Sequence, residues 1–132
     1  MANAKALKLP RSERGDFTAA AAATTLTAGD SGKTFAWNHA TALLFTLPAV
    51  QKSQKGIFYH FIVNIAATSG TGHGVSPASV DKIIAPGVTA TDDKDIYFAT
   101  AADYVGDGFT LISDGTDGWY IQSQNGTIVQ ES

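Results

Sequence analysis

The segment Gly56 to Ile65 (GIFYHFIVNI) constrains this chain more than any other, because both of its alternating faces are apolar. Successive side chains of a strand point to opposite faces, so Ile57, Tyr59, Phe61, Val63 and Ile65 share one face and belong to a core. The other face carries Phe58, His60, Ile62 and Asn64. A lone two-layer sheet turns a polar face to water, so this second face should meet another layer or another subunit.

The same period of two recurs along the chain. Leu43, Phe45 and Leu47 fall on one face of a strand ending at Pro48. Phe109 and Leu111 alternate before Asp114-Gly115-Thr116-Asp117-Gly118, and Trp119 and Ile121 alternate after it. Asp-Gly pairs supply the positive φ of tight hairpin loops, and Asn125-Gly126 marks another turn before Thr127, Ile128 and Val129. The run Ala19 to Ala23 is long enough for one helical turn after Asp16 but leads into β-favouring Thr24 and Thr25, and is left unassigned. Residues 66–78 and 89–95 are polar and read as exposed loops, the first of them rich in glycine. No long amphipathic helix appears. The expectation is an all-β fold, a single antiparallel β-sandwich or small jelly-roll-like barrel over residues 18–132, preceded by an extended N-terminal arm over residues 1–17.

A core is affordable at this size: 132 residues with 44% hydrophobic and 16% charged suit one globular domain. The absence of cysteine excludes disulfides, thiolate ligation and a cysteine nucleophile. No apolar run approaches the roughly 20 residues that span a bilayer, and residues 1–16 have no apolar signal-peptide centre. Charge is divided unevenly. Residues 1–15 hold Lys5, Lys8, Arg11 and Arg14 against Glu13 alone, +3 in all, which leaves −6 for the remainder of a chain whose total is −3. A basic arm on an acidic body suits an acidic protein surface better than nucleic acid, because the body repels a duplex and no aromatics alternate with the cations. Leu7 and Leu9 alternate within the arm and suit addition to a sheet edge.

Motifs that carry chemistry elsewhere lack their context here. Thr27 to Thr34 (TAGDSGKT) ends like a phosphate-binding loop, but Thr27 stands where glycine is required and strand-forming residues follow instead of a helix, so it reads as a turn. Gly70, Gly72 and Gly74 have the wrong spacing for a dinucleotide fingerprint. His39, His60 and His73 lack the spacing of a zinc site; His60 reads as an interface or partly buried ring, open to pH-sensitive assembly in a ring of copies, and His73 as a loop side chain. Asp92, Asp93 and Asp95 read as a solvated loop, since the glycine and distant glutamate of a calcium loop are missing. Ser69, Ser76 and Ser113 sit in no nucleophile elbow. Trp37, Tyr97, Tyr104 and Tyr120 suit either a sugar-stacking platform or packing between subunits.

Three stretches, Leu26 to Phe35 (LTAGDSGKTF), Leu44 to Pro48 (LFTLP) and Val105 to Ile121 (VGDGFTLISDGTDGWYI), resemble small β-structured virion proteins of tailed bacteriophages. That group includes capsid decoration (cement) proteins and the β-domains of tail fibres and spikes. The arm-plus-domain layout is most similar to a decoration protein. The resemblance implies no enzymatic activity, no cofactor, no metal and no small-molecule substrate. It implies a homotrimer on the outer surface of the virion, made in the host cytoplasm and bridging neighbouring copies of the major capsid protein, with neither nucleic acid nor membrane as partner. On this expectation Lys5, Leu7, Lys8, Leu9, Arg11 and Arg14 form a capsid-binding arm, and Phe58, His60 and Ile62 an oligomer interface. The alternative is a receptor- or glycan-binding β-domain of a fibre or spike.

Overall fold

The computed structural model describes residues 15–68, 71–99 and 103–132. The arm expected over residues 1–17 therefore lies outside the described residues as far as residue 14, and Phe17 already opens the first strand. In chain order the strands are β1 (Phe17–Ala20), β2 (Thr34–Asn38), β3 (Leu44–Thr46), β4 (Phe58–Ile65), β5 (Gly74–Ser76), β6 (Lys82–Ile84), β7 (Ile96–Phe98), β8 (Gly108–Ser113), β9 (Gly118–Asn125) and β10 (Ile128–Gln130). Short 3₁₀ turns, Ala28–Asp30 and Lys52–Gln54, are the helical elements among the described residues.

The strands form a six-stranded sheet in the order β1-β2-β4-β8-β9-β6 and a four-stranded sheet in the order β10-β7-β5-β3. The all-β expectation holds, but the antiparallel one does not. β1 and β2, β2 and β4, β6 and β9, and β3 and β5 pair in parallel. The cause lies in the connections. A parallel neighbour requires a crossover, and after β2 the chain passes through β3 in the other sheet before returning as β4 beside β2. Alternation of side chains reports faces and is blind to this direction.

The two sheets share one hydrophobic cluster. From the larger sheet it takes Phe35, Trp37, Tyr59, Phe61, Val63, Phe109, Leu111, Trp119 and Ile83, and from the smaller Phe45, Val75, Ile96 and Phe98. Burying each such side chain stabilises the fold by roughly 1.5–3 kcal/mol before conformational entropy is counted. β4 follows its expected pattern until its end, where Ile65 is 41% exposed. Its pairing with β8 covers only Phe58 to Ile62, and a register shift between Trp37 and Asn38 offsets its pairing with β2 there, so Ile65 extends past the core.

Local chemistry sets the turns. In the Thr27 to Thr34 turn, the Asp30 carboxylate accepts the Thr27 backbone N–H (2.9 Å) and hydroxyl (3.2 Å) and pairs with Lys33 Nζ (2.9 Å). β2 follows, where a phosphate-binding loop would open a helix. Partial burial raises the Asp30 carboxyl, but Lys33 and the Thr27 N–H outweigh it and hold the group below the usual carboxylate range.

Between β8 and β9, Asp114 Oδ1 accepts the backbone N–H groups of Thr116 (2.7 Å), Asp117 (2.8 Å) and Gly118 (3.1 Å). Burial opposes ionisation of Asp114, and these N–H donors outweigh it and depress its pKa. Asp114→Ala is expected to cost about 1–2 kcal/mol through the lost turn hydrogen bonds. A carboxyl depressed in the folded state stabilises above its unfolded pKa of about 3.9. That contribution fades as pH falls through the lower folded value, so wild type and variant should converge in urea midpoint at strongly acidic pH and differ at pH 7. A difference independent of pH would refute the role of the ionised carboxylate.

Candidate interaction face

Strand register assembles the outer face of the six-stranded sheet, the side turned away from the core. One row runs across four strands as Phe58, Ile112, Tyr120 and Ile84. A second runs across five as Phe17, Thr34, His60, Thr110 and Ser123. A third runs as Ala19, Ala36, Ile62, Gly108 and Asn125. The face is therefore banded: an apolar row, a row dominated by hydroxyls and an imidazole, and a row of mostly small residues around Ile62.

The bands differ in exposure and bonding. Phe58, Ile62, Ile84 and Ile112 are half-buried, whereas Phe17 is 60% and Tyr120 44% exposed. His60 Nδ1 lies 2.8 Å from Thr110 Oγ1, and its ring meets the Phe58 ring edge-on at 5.5 Å and 78°. Where the second and third rows adjoin, a groove of about 310 Å³ is lined by Thr34, His60, Ile62, Gly108, Thr110, Ser123 and Asn125 among others. A side chain at position 108 would strike the Phe61 carbonyl oxygen, so glycine is required there and the floor stays bare. Asn125 Nδ2 donates to the Gly106 carbonyl at 3.4 Å, which leaves its Oδ1 as an acceptor at the rim.

The structure sorts the expected site residues. Phe58, His60 and Ile62 do share one face, but each belongs to a different band, and only His60 and Ile62 line the groove. Lys5, Leu7, Lys8, Leu9, Arg11 and Arg14 lie outside the described residues. Trp37 cannot belong to a sugar platform, because it is 0% exposed. Tyr97 on β7 is half-buried, while Tyr104 and Tyr120 are exposed on separate elements. His73 does lie in a loop, directly before β5, but it is fully buried, because the segment read as exposed contains β5 and folds inward. Asp92 and Asp93 are exposed as expected, whereas Asp95 is half-buried, and among the described residues no three His, Asp or Glu side chains are grouped to hold a metal ion. The polar residues that line the groove with His60, namely Thr34, Thr110, Ser123 and Asn125, were missed. So were Ile112 and Ile84, although Thr110 and Ile112 occupy the opposite parity to Phe109 and Leu111 and so were readable as facing out.

Two shifts in acidity lie away from this groove. Burial, then the Asp30 charge, pushes the Tyr59 hydroxyl up to about 12, consistent with its donating to the Thr27 carbonyl at 2.6 Å from inside the core. Burial also raises Asp81, although the carboxylate accepts the Val50 N–H at 2.8 Å. Neither group lines the groove.

No protein-family model matches this chain, and no curated protein or solved structure matches it either. The class defined by the fold is all-β: two mixed sheets around one aromatic core, with a banded outer face.

Proposed function

We propose that this protein is a capsid decoration protein: a β-sandwich that binds the outer surface of an assembled viral shell as an oligomer and bridges neighbouring capsid subunits. The observation that supports this reading best is the apolar row Phe58, Ile112, Tyr120 and Ile84, which crosses four strands on a face pointing away from the core. Copies would associate through that row, three around an axis, because large apolar side chains on a sheet's outer face gain further burial only from a partner. The basic residues Lys5, Lys8, Arg11 and Arg14 would then reach an acidic shell surface away from the −6 body. Binding the assembled shell and not its separated subunits stabilises the shell by mass action, about 2.7 kcal/mol per site at a free concentration of one hundred times Kd.

Deleting residues 2 to 15 tests the reading. The truncated protein is expected to stay folded and oligomeric by circular dichroism and light scattering, and to lose co-sedimentation with shells. Unchanged sedimentation would reject the arm as the shell contact, and a monomeric full-length protein would reject association through the outer face.

A further inference from the structure

We infer that the groove beside the apolar row is a binding site for a neutral saccharide, a role separate from shell binding. Its lining is the reason. Thr34, Thr110 and Ser123 offer hydroxyls that both donate and accept, Asn125 keeps an amide oxygen, and His60 has Nδ1 engaged by Thr110 while its second ring nitrogen remains for a ligand. Among the described residues, the lining holds no Asp, Glu, Lys or Arg. Phosphate, nucleotide and carboxylate ligands call for cationic partners, and a metal ion calls for carboxylates, so this groove suits none of them.

Sugars present what the groove complements. Their hydroxyls donate and accept in the same way as the polar row, and their C–H faces pack against Ile62 and the bare backbone at Gly108. A volume of about 310 Å³ is at the small end for ligand sites, which fits one or two sugar rings held at the surface of a longer chain. Such a site is weak alone, and copies joined in an oligomer would gain avidity for a repeating polysaccharide. The location also differs from the one that aromatic content suggests, since neither Trp37 nor Tyr104 lines the groove.

Amide chemical shifts of the full-length protein, titrated with maltotriose, cellotriose and N,N′-diacetylchitobiose and with sialyllactose as the charged comparison, test the inference. At least one neutral sugar should give saturable shifts centred on Thr34, Ile62, Gly108 and Asn125, and should bind more tightly than sialyllactose. His60→Leu, and separately the shape-conserving Thr110→Val, should weaken that binding at least tenfold while leaving the remaining spectrum in place. The inference is overturned by the absence of saturable shifts with all three neutral sugars, by shifts centred on Tyr97 or Tyr104, by tighter binding of sialyllactose, or by unchanged affinity in both variants.

Discussion

Trp37→Ala is expected to lower stability by about 4–5 kcal/mol, a large fraction of the roughly 5–15 kcal/mol that folded proteins commonly have. The indole is fully buried and joins the two sheets. It stacks on Phe45 of β3 at 5.4 Å and 11° and meets Phe98 of β7 edge-on at 5.8 Å and 88°. On its own sheet it lies 5.6 Å from Phe61 and 5.7 Å from Phe109. Removing it leaves a cavity between stiff aromatic neighbours that cannot collapse, so both the lost transfer energy and the cavity count. Trp37 Nε1 is buried without a hydrogen-bond partner. Trp37→Phe discards that unpaired N–H while keeping most ring contacts, and should cost no more than about half as much. Urea unfolding followed by near-ultraviolet circular dichroism checks both. A Trp37→Ala cost below about 1 kcal/mol would show that the two sheets are not joined through this ring.

Much of this core could be read before the fold was known. The parity of Tyr59, Phe61 and Val63, of Phe45 and Leu47, and of Phe109 and Leu111 assigns each to the interior, where all are buried. These segments work because their alternation lasts long enough to separate the two faces. Trp37 was misjudged as an exposed ring, although Phe35 at the same parity of the five-residue strand Thr34–Asn38 places both on the core face. Sheet direction was not legible at all. It depends on which sheet each strand joins next, a property of the whole chain path that no local period encodes.

Glycine was the second source of error. Gly70, Gly72 and Gly74 suggested an open loop, yet a side chain at 72 would meet the Phe98 backbone oxygen and one at 74 the Ile96 oxygen. Gly72 and Gly74 therefore permit close approach to β7, which is a packing requirement and not a sign of exposure. The groove was hidden for a related reason. Thr34, His60, Thr110 and Ser123 come from four strands, and only the register that aligns them makes a row. The apolar outer face of β4 was legible alone, because Phe58 and Ile62 share one parity within a single strand.

The sharpest consequence of that inward fold concerns His73. Its Nδ1 accepts the Leu43 backbone N–H at 2.9 Å, and since a backbone N–H can only donate, Nδ1 must be unprotonated. Nε2 therefore carries the proton and donates to the Ile65 carbonyl at 2.8 Å. The ring also stacks on Trp37 at 5.7 Å and 5°, and the His73 backbone N–H reaches Asp103 Oδ2 at 3.1 Å. One side chain thus closes hydrogen bonds to the segments entering β3 and leaving β4 while covering the central indole. His73→Leu keeps apolar bulk but orphans a part-buried donor at Leu43 and a part-buried acceptor at Ile65, each costing up to about 1–3 kcal/mol. The expected loss is about 3–4 kcal/mol, with faster hydrogen exchange at the Leu43 amide than global unfolding explains. Because His73 and Trp37 touch, the double variant with Trp37→Phe should depart from additivity by more than about 0.5 kcal/mol. A loss within about 0.5 kcal/mol and an unchanged Leu43 exchange rate would mean that the imidazole is a passive filler and that something else holds these segments on the core.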